Sequence, residues 1–355
     1  MNTFGRKFRV SIFGESHGDA IGVVLDGVQP GLPLSADDFT ADILRRKSGP
    51  KGTTPRIEAD EPEILSGVFD GFTTGAPLAI IFRNRNTRSG DYKLFRDMPR
   101  PGHADYTASV KWLDFNDPRG GGHFSGRLTL PIVAAGVVAK KMCVCKIAVR
   151  ILEVGGVGRE EALATLTPEE RGGADTETLS PSLIWKNVLN RAILEKDSVG
   201  GIVECRVEGV PAGVGEPFFD SVESLVSHAV FAIPGVRGIE FGDGFAAARM
   251  KGSEHNDPFD SITSDAAVDS HLSVRPSKNG AGGLNGGITN GNPIVFRVAF
   301  KPTSSIGKAQ ETFNFATEKM DRLEIPGRHD ACFALRTPPV VEAMTAIVLA
   351  DLMSL

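Results

Sequence analysis

The sequence predicts an α+β fold with antiparallel sheets, in one domain covering residues 1–355. Three observations lead there. Strand-like segments follow one another through short turns, without the regular strand–helix alternation that a parallel sheet demands. No run of Ser, Pro or charge divides the chain, while 41 Gly and 22 Pro are spread along it and call for many tight turns. Finally, residues 23–46 (VVLDGVQPGLPLSADDFTADILRR) are echoed by residues 203–230 (VECRVEGVPAGVGEPFFDSVESLVSHAV) in their order of strand, turn and helix. The shared turn sets Asp26-Gly27-Val28 against Glu208-Gly209-Val210. Duplication within one body explains both the echo and the missing linker; chance agreement over so short a match is the competing explanation.

Taken in order, FRVSIF alternates apolar Phe8, Val10 and Ile12 with polar Arg9 and Ser11, the period of a half-buried strand. IGVVLDGV, EILSGVF and PLAIIFR read as further strands. Ser35 followed by Asp38 is an N-terminal capping signal, so DFTADILRR is expected to be helical. PIVAAGVVAKKM, with Pro131 in its first turn, reads as a buried helix of small residues. SPSLIWKNVLNRAILEK, DSVESLVSHAVFA and the closing PVVEAMTAIVLADLM are the remaining helices.

With 41% hydrophobic and 23% charged residues, the composition is that of a globular protein, and its net charge is −5. The cations are nevertheless concentrated. Residues 45–56 hold five basic side chains and no acid, and residues 83–100 hold six against two aspartates. An acidic chain with cationic loops fits a small polyanion better than a nucleic acid, and only 2 Trp and 2 Tyr are available to stack on bases. No segment has the apolar length of a membrane span or the pattern of a secretory signal, so a cytoplasmic protein with no membrane partner is expected. Cys143, Cys145, Cys205 and Cys332 lack a metal-ligand spacing and read as reduced thiols; no metal site is expected.

Five glycine-rich segments join backbone freedom to reactive side chains. Gly14-Glu15-Ser16-His17-Gly18 follows the first strand and can present Ser16 and His17 together. In Arg100-Pro101-Gly102-His103-Ala104-Asp105, a histidine between an arginine and an aspartate is expected to be held cationic. Arg119-Gly120-Gly121-Gly122-His123-Phe124-Ser125-Gly126-Arg127 has the makings of an anion nest ahead of a helix. The run Gly280–Gly291 ends in no Gly-Lys-Ser/Thr and is no P-loop, and the strand after it leads to Lys301-Pro302-Thr303-Ser304-Ser305, suited to a phosphate monoester. The last is Gly327-Arg328-His329-Asp330. Each alone also admits a plain structural role. Together they point to a phosphorylated substrate and a phosphorylated cofactor.

In this order, FGESHG, ILSGVFDGFTTGAP, RSGDY, RPGHADYT, KPTSSI, GRHD and PVVEAMTAIVLAD resemble the chorismate synthase family over nearly the whole chain. The resemblance implies a sandwich of helices between antiparallel sheets, with an internal pseudo-two-fold repeat, assembled as a homotetramer. It implies conversion of 5-enolpyruvylshikimate 3-phosphate to chorismate by anti 1,4-elimination of phosphate, using reduced FMN with no net redox change. By motif match, His17 would protonate the departing phosphate, His103 would act near flavin N1, and Asp330 near N5, with Ser16 and Ser125 as relays. Arg46, Arg100, Arg127 and Arg328 would hold phosphate and carboxylates, as a guanidinium fork does well. Lys301, Pro302, Thr303, Ser304, Ser305, Gly286 and Arg328 would line the flavin site.

Three positions depart from the family pattern. His123-Phe124-Ser125 stands where many members carry Arg-Ser-Ser, and Pro234-Gly235 where many carry Asn-Ala; both are expected at the flavin. A substrate position often held by arginine falls at Lys51 or Gly52, depending on a one-residue gap, and is assigned to Lys51. Some members reduce their own flavin with NADPH, usually in longer chains, so an external flavin reductase is expected here. A flavin-dependent oxidoreductase is the nearest rival, disfavoured by the lack of a nicotinamide fingerprint. A non-catalytic phospho-ligand binder is the other, disfavoured because Ser16, His17, His103 and Asp330 are all present.

Overall fold

The computed structural model of the chain describes residues 1–49, 51–54, 59–85, 94–164, 183–263, 273–325 and 329–354. Two five-stranded antiparallel sheets form its outer layers. The first contains β1 (Thr3–Phe4), β2 (Arg9–Gly14), β3 (Ala20–Asp26), β4 (Glu63–Ser66) and β5 (Leu78–Arg83), in the order β1-β2-β3-β5-β4. The second contains β6 (Lys146–Val154), β7 (Val157–Gly158), β8 (Gly201–Glu208), β9 (Val236–Phe241) and β10 (Ile294–Phe300), in the order β9-β10-β8-β6-β7. The main helices are α1 (Thr40–Arg46), α2 (Asp105–Trp112), α3 (Thr129–Met142), α4 (Leu183–Leu194), α5 (Val222–Phe231) and α6 (Pro338–Met353). Helix α3 lies on β3 and β5, α6 lies on β6 and β8, and the two helices pack on each other. This is the expected sandwich.

The expected repeat is present and longer than the sequence match. The first half runs β2, β3, α1, β4, β5, α3, with α2 inserted before α3; the second runs β6, β8, α5, β9, β10, α6, with β7 and α4 inserted. Both strand-to-helix connections are held by one buried threonine. Thr73 Oγ1 donates to the Gln29 carbonyl (2.6 Å) and accepts from the Leu32 N–H (2.9 Å). Thr289 Oγ1 does the same with Pro211 (2.6 Å) and Val214 (2.9 Å). Around them, Gly67, Gly71, Thr73, Gly75 and Pro77 recur in the same spacing as Gly283, Gly287, Thr289, Gly291 and Pro293. The paired glycines match in φ: 84° and 84°, 80° and 92°, 83° and 89°.

Helix α6 is buried from Pro339 to Leu352, which is why its sequence is apolar on every side. Two acids survive within it because each is fully engaged. Glu342 accepts from Arg45 (2.5 and 2.7 Å) and Lys140 (3.1 Å). Asp351 accepts from the N–H groups of Arg6, Lys7 and Phe8 (2.9, 2.7 and 2.9 Å) and so fixes the entry to β2. The α3–α6 crossing is close enough that a Cβ added at Gly136 would stand 2.3 Å from Ala343 Cβ.

Ser35 caps the α1 region as expected, its N–H donating to Asp38 Oδ2 at 2.7 Å, but a 3-10 turn over Ala36–Phe39 precedes the α-helix. The EILSGVF strand breaks at Gly67, where φ is +84°. All four cysteines are free thiols. Among the described residues, no helix is long and apolar enough to cross a membrane, and no group of three His, Cys, Asp or Glu is placed to hold a metal.

Candidate active site

A cavity of about 1060 Å³ opens at the seam between the halves, lined by residues from β2, α3, α6 and the loops around them. Four of the five glycine-rich segments converge there. The first ends β2: Gly14 (φ +93°) turns the chain into Glu15–Gly18 before β3 returns. Ser16 and His17 are thereby buried, 1% and 6% exposed. The Ser16 N–H donates to the Gly122 carbonyl at 3.1 Å, and its hydroxyl has no hydrogen-bond partner among the described residues.

The triple glycine lies between the two histidines. Gly120, Gly121 and Gly122 all have positive φ (62°, 82° and 53°), a run open to glycine alone. A Cβ on Gly120 would stand 2.5 Å from His17 Cδ2 and 2.8 Å from Ser16 Oγ, and one on Gly121 would stand 3.5 Å from His103 Nε2. The nest read from the sequence is therefore first a spacer: it brings bare backbone between two imidazoles, so close at Gly120 that any side chain there would collide with the His17 ring. His123 fastens it, Nδ1 donating to the Gly14 carbonyl at 2.8 Å and Nε2 lying 3.2 Å from the Asn2 amide oxygen.

His103 sits just ahead of α2. Its Nδ1 is 2.6 Å from Asp105 Oδ1 and 3.1 Å from Arg100 Nη2. Arg100 forks onto Asp105 (2.7 Å from both Nε and Nη2), reaches Ser305 Oγ at 3.0 Å and lies 4.5 Å over the Phe95 ring. The sequence reading of a cationic His103 is reversed here. Burial and the Arg100 charge hold its pKa below the ordinary value, and these outweigh the hydrogen bond to Asp105. Burial alone would raise the Asp105 carboxyl, but Arg100 and His103 hold it far below the usual range. With Nδ1–H turned to Asp105, Nε2 faces Gly121 as the proton-accepting atom.

Lys301 staples the KPTSS loop to the same turn. Its ammonium donates to the Gly102 carbonyl (2.6 Å) and to Ser304 Oγ, and Ser304 in turn donates to Gly102 (2.7 Å). The Lys301 N–H donates to the Gly235 carbonyl at 2.9 Å, placing Pro234-Gly235 beside it. Thr303 Oγ1 is buried without a partner among the described residues.

A second cationic cluster lies under α3. Arg46 donates to Thr129 Oγ1 (3.0 Å) and the Gly126 carbonyl (3.0 Å), and faces Asp60 at 3.4 Å. Arg127 bonds Asp60 through Nη1 and Asn84 Oδ1 through Nε (2.9 Å), while its Nη2 is buried with no partner among the described residues. Arg336 pairs with Asp330 (3.2 Å) and donates to the Arg46 carbonyl (3.2 Å). Three guanidiniums thus share two carboxylates. Burial and the neighbouring Arg336 and Arg127 charges pull the Arg46 pKa down. A guanidinium stays protonated in practice, so this strain is a field that a bound anion would relieve.

Of the residues singled out from sequence, Arg46, Arg100, His103, His123, Phe124, Ser125, Arg127, Pro234, Gly235, Asp330 and Lys301 through Ser305 line the cavity. Ser16 and His17 stand behind Gly120, which does line it. Two are elsewhere. Lys51 is exposed and off the cavity wall, and Gly286 tips the Leu284–Thr289 hairpin with open space around it. Arg328 lies outside the described residues. Sequence reading missed Asp60, which balances two arginines, and Arg336, which holds Asp330. Arg336 had a signal: it is the single charge in the apolar stretch Ala331–Val341. Asp60, one acid among several in ADEPE, had none.

The sequence profile of the chorismate synthase family matches residues 8–354. The chain belongs to that family. A chorismate synthase of Chitinophaga pinensis is 54% identical over all of this chain and 97% of its own length. One from Korarchaeum cryptofilum is 45% identical over 98% and 96%. A crystal structure of chorismate synthase superposes with a TM-score of 0.72 at 27% identity, covering 99% of this chain and 92% of that one. The activity that goes with this family is chorismate formation in the shikimate route to aromatic compounds, by a carbon–oxygen lyase that uses a flavin.

Proposed function

We propose that the cavity takes reduced FMN together with 5-enolpyruvylshikimate 3-phosphate and eliminates phosphate from the latter to give chorismate. The observation that carries this reading is the buried His17 and the half-buried His103, held on either side of a side-chain-free glycine run at the wall of a cationic cavity. The volume of about 1060 Å³ is at the upper end for a single ligand and suits a flavin and a substrate side by side. The groups present fit a phosphorylated flavin: the donors are Lys301, the Ser304 and Ser305 hydroxyls and Thr303 Oγ1, which has no partner among the described residues, and the exposed Phe124 ring offers an apolar face. When bound, reduced FMN supplies transient electron density to the elimination and recovers it.

Arg46 and Arg127, with the unused Nη2, bind and orient the anionic substrate. His17 donates a proton to the departing phosphate, with Ser16 and Ser125 as relays. His103, whose Nδ1–H is fixed by Asp105, offers Nε2 beside flavin N1 as the atom that takes up a proton and returns it. Asp330, positioned by Arg336 and by the Thr54 N–H (2.7 Å), moves a proton near N5. Arg328 and Lys51 remain part of the proposed substrate set, and Gly286 of the flavin set. The enzyme works as a cytoplasmic homotetramer and depends on an external flavin reductase.

The test is anaerobic turnover with chemically reduced FMN. Chorismate formed in step with inorganic phosphate is the expected result, and absence of both with flavin bound would overturn the reading. Oxidised FMN with NADPH should give no turnover; steady product under those conditions removes the need for an external reductase.

A further inference from the structure

Strand β9 opens on an irregularity. Val236 pairs with Phe300 of β10, and Gly238 pairs with Ala299, so Arg237 is an extra residue with no opposite number. A bulge of this kind breaks the alternation of the strand and re-aims a side chain, and such bulges gather beside binding sites. Here the residue re-aimed is a cation. Val236 is buried in the core, whereas Arg237 is exposed and lines the cavity.

Arg237 has no counter-charge among the described residues. Among the described residues none forms an ion pair or hydrogen bond with it. The nearest acid along the strand, Glu240, is taken by Arg297 (3.3 Å) and the Phe245 N–H (3.2 Å). Lys301, next to Phe300 in the facing strand, is in the same position: its ammonium donates only to the neutral oxygens of Gly102 and Ser304. The two cations feel each other, since burial and then the Arg237 charge hold the Lys301 amine below its ordinary value. A fold that buries part of a lysine, adds an arginine by a bulge, and supplies no carboxylate to either has left the anion to the ligand.

We infer that Arg237 anchors a phosphate monoester in this cavity, acting beside Lys301. This rests on the reading of the cavity as a flavin and phosphorylated-substrate site. Both ligands carry the same group, and the experiment separates them.

The probes are FMN, riboflavin (the same ring without phosphate) and 5-enolpyruvylshikimate 3-phosphate, each applied to wild type, Arg237→Gln and Arg237→Lys. Loss of one charge-assisted contact should weaken the phosphate-bearing ligand about ten- to a hundredfold. If the flavin phosphate is held, Arg237→Gln raises the Kd for FMN by that factor, leaves riboflavin unchanged, and Arg237→Lys recovers most of the loss. If the substrate phosphate is held, both flavins bind as in wild type and the substrate KM rises instead. Unchanged values for all three ligands overturn the inference. So does a parallel loss of FMN and riboflavin, which would mark a disturbed fold. A wild-type protein that binds neither flavin would sink the flavin reading itself, an outcome visible before any variant is made.

Discussion

The two halves of the molecule share a backbone and differ in chemistry. Thr129 and Thr337 open α3 and α6 in the same way, their hydroxyls donating to the carbonyls of Gly126 (2.7 Å) and Ala334 (2.9 Å). Thr73 and Thr289 tie the same connections with matching hydrogen bonds. Between the first two long strands the likeness stops. In the first half, β2 and β3 are joined by the tight turn that presents Ser16 and His17; in the second, β6 and β8 are joined by a long insertion carrying β7 and α4. Hydrogen bonds that close turns were kept in both copies, while the reactive groups were placed once. The site lies at the seam because each half supplies one arginine ahead of its central helix, Arg127 and Arg336, and each arginine faces its own aspartate.

The sharpest break in this comparison is His17, which has no counterpart in the other half. His17→Asn should lower kcat by about 10²- to 10⁴-fold, measured as anaerobic phosphate release, with substrate KM little altered. An undiminished kcat would remove it from the mechanism. Next comes the spacer. Gly120→Ala forces a Cβ against the His17 ring and should cost about 10² in kcat through misplacement of that ring. Its control is Gly71→Ala, with φ +80° but open space around the Cβ, which should lose only about 1–2 kcal/mol of stability in urea unfolding and keep its kcat. Equal kinetic effects from the two would show that strain and not contact with His17 matters.

The repeated threonines test the likeness itself. Thr73→Val and Thr289→Val each remove two hydrogen bonds to part-buried backbone groups, so each should cost about 1–2 kcal/mol. Sitting in separate connections, the two losses should add. A large inequality between them would mean that only one copy of the turn still carries load.

The smallest effect is on stability against pH. His103 has a folded-state pKa below its unfolded value of about 6.5, so the unfolded chain binds the proton first and stability falls as pH drops through that value. Asp105, depressed below about 4, adds stability that is complete above that pH and is lost only as pH falls below it. Replacing His103 by Gln should flatten the upper window and leave acid unfolding below pH ~4 in place. A steeper dependence near pH ~6.5 in the variant would contradict the assigned sign.

The layers were legible because strand alternation and cap signals are local. The glycine motifs were legible because each holds its reactive residue within a few positions. The repeated Gly-x-x-x-Gly-x-Thr-x-Gly-x-Pro is present in the sequence, but it gains its meaning only from the matching hydrogen bonds of Thr73 and Thr289. What could not be read locally was which charge meets which. Arg45 belongs to the basic run that suggested a ligand, yet it turns to Glu342, 2.5 Å away. Its neighbour Arg46 enters the cavity. Likewise His103 lies between opposite charges in the sequence, and only its burial decides which prevails.

The crossing of α3 and α6 at Gly136 and Ala343 acts as a gauge block. Ile132, one turn before Gly136, and Met344 and Ile347, beside and one turn beyond Ala343, form part of the cavity wall. The closeness of one glycine to one alanine therefore holds together the two helices that carry this part of the wall. A single methyl group inserted at that crossing would register, some distance off, as a change in the width of the chamber where the ligands meet.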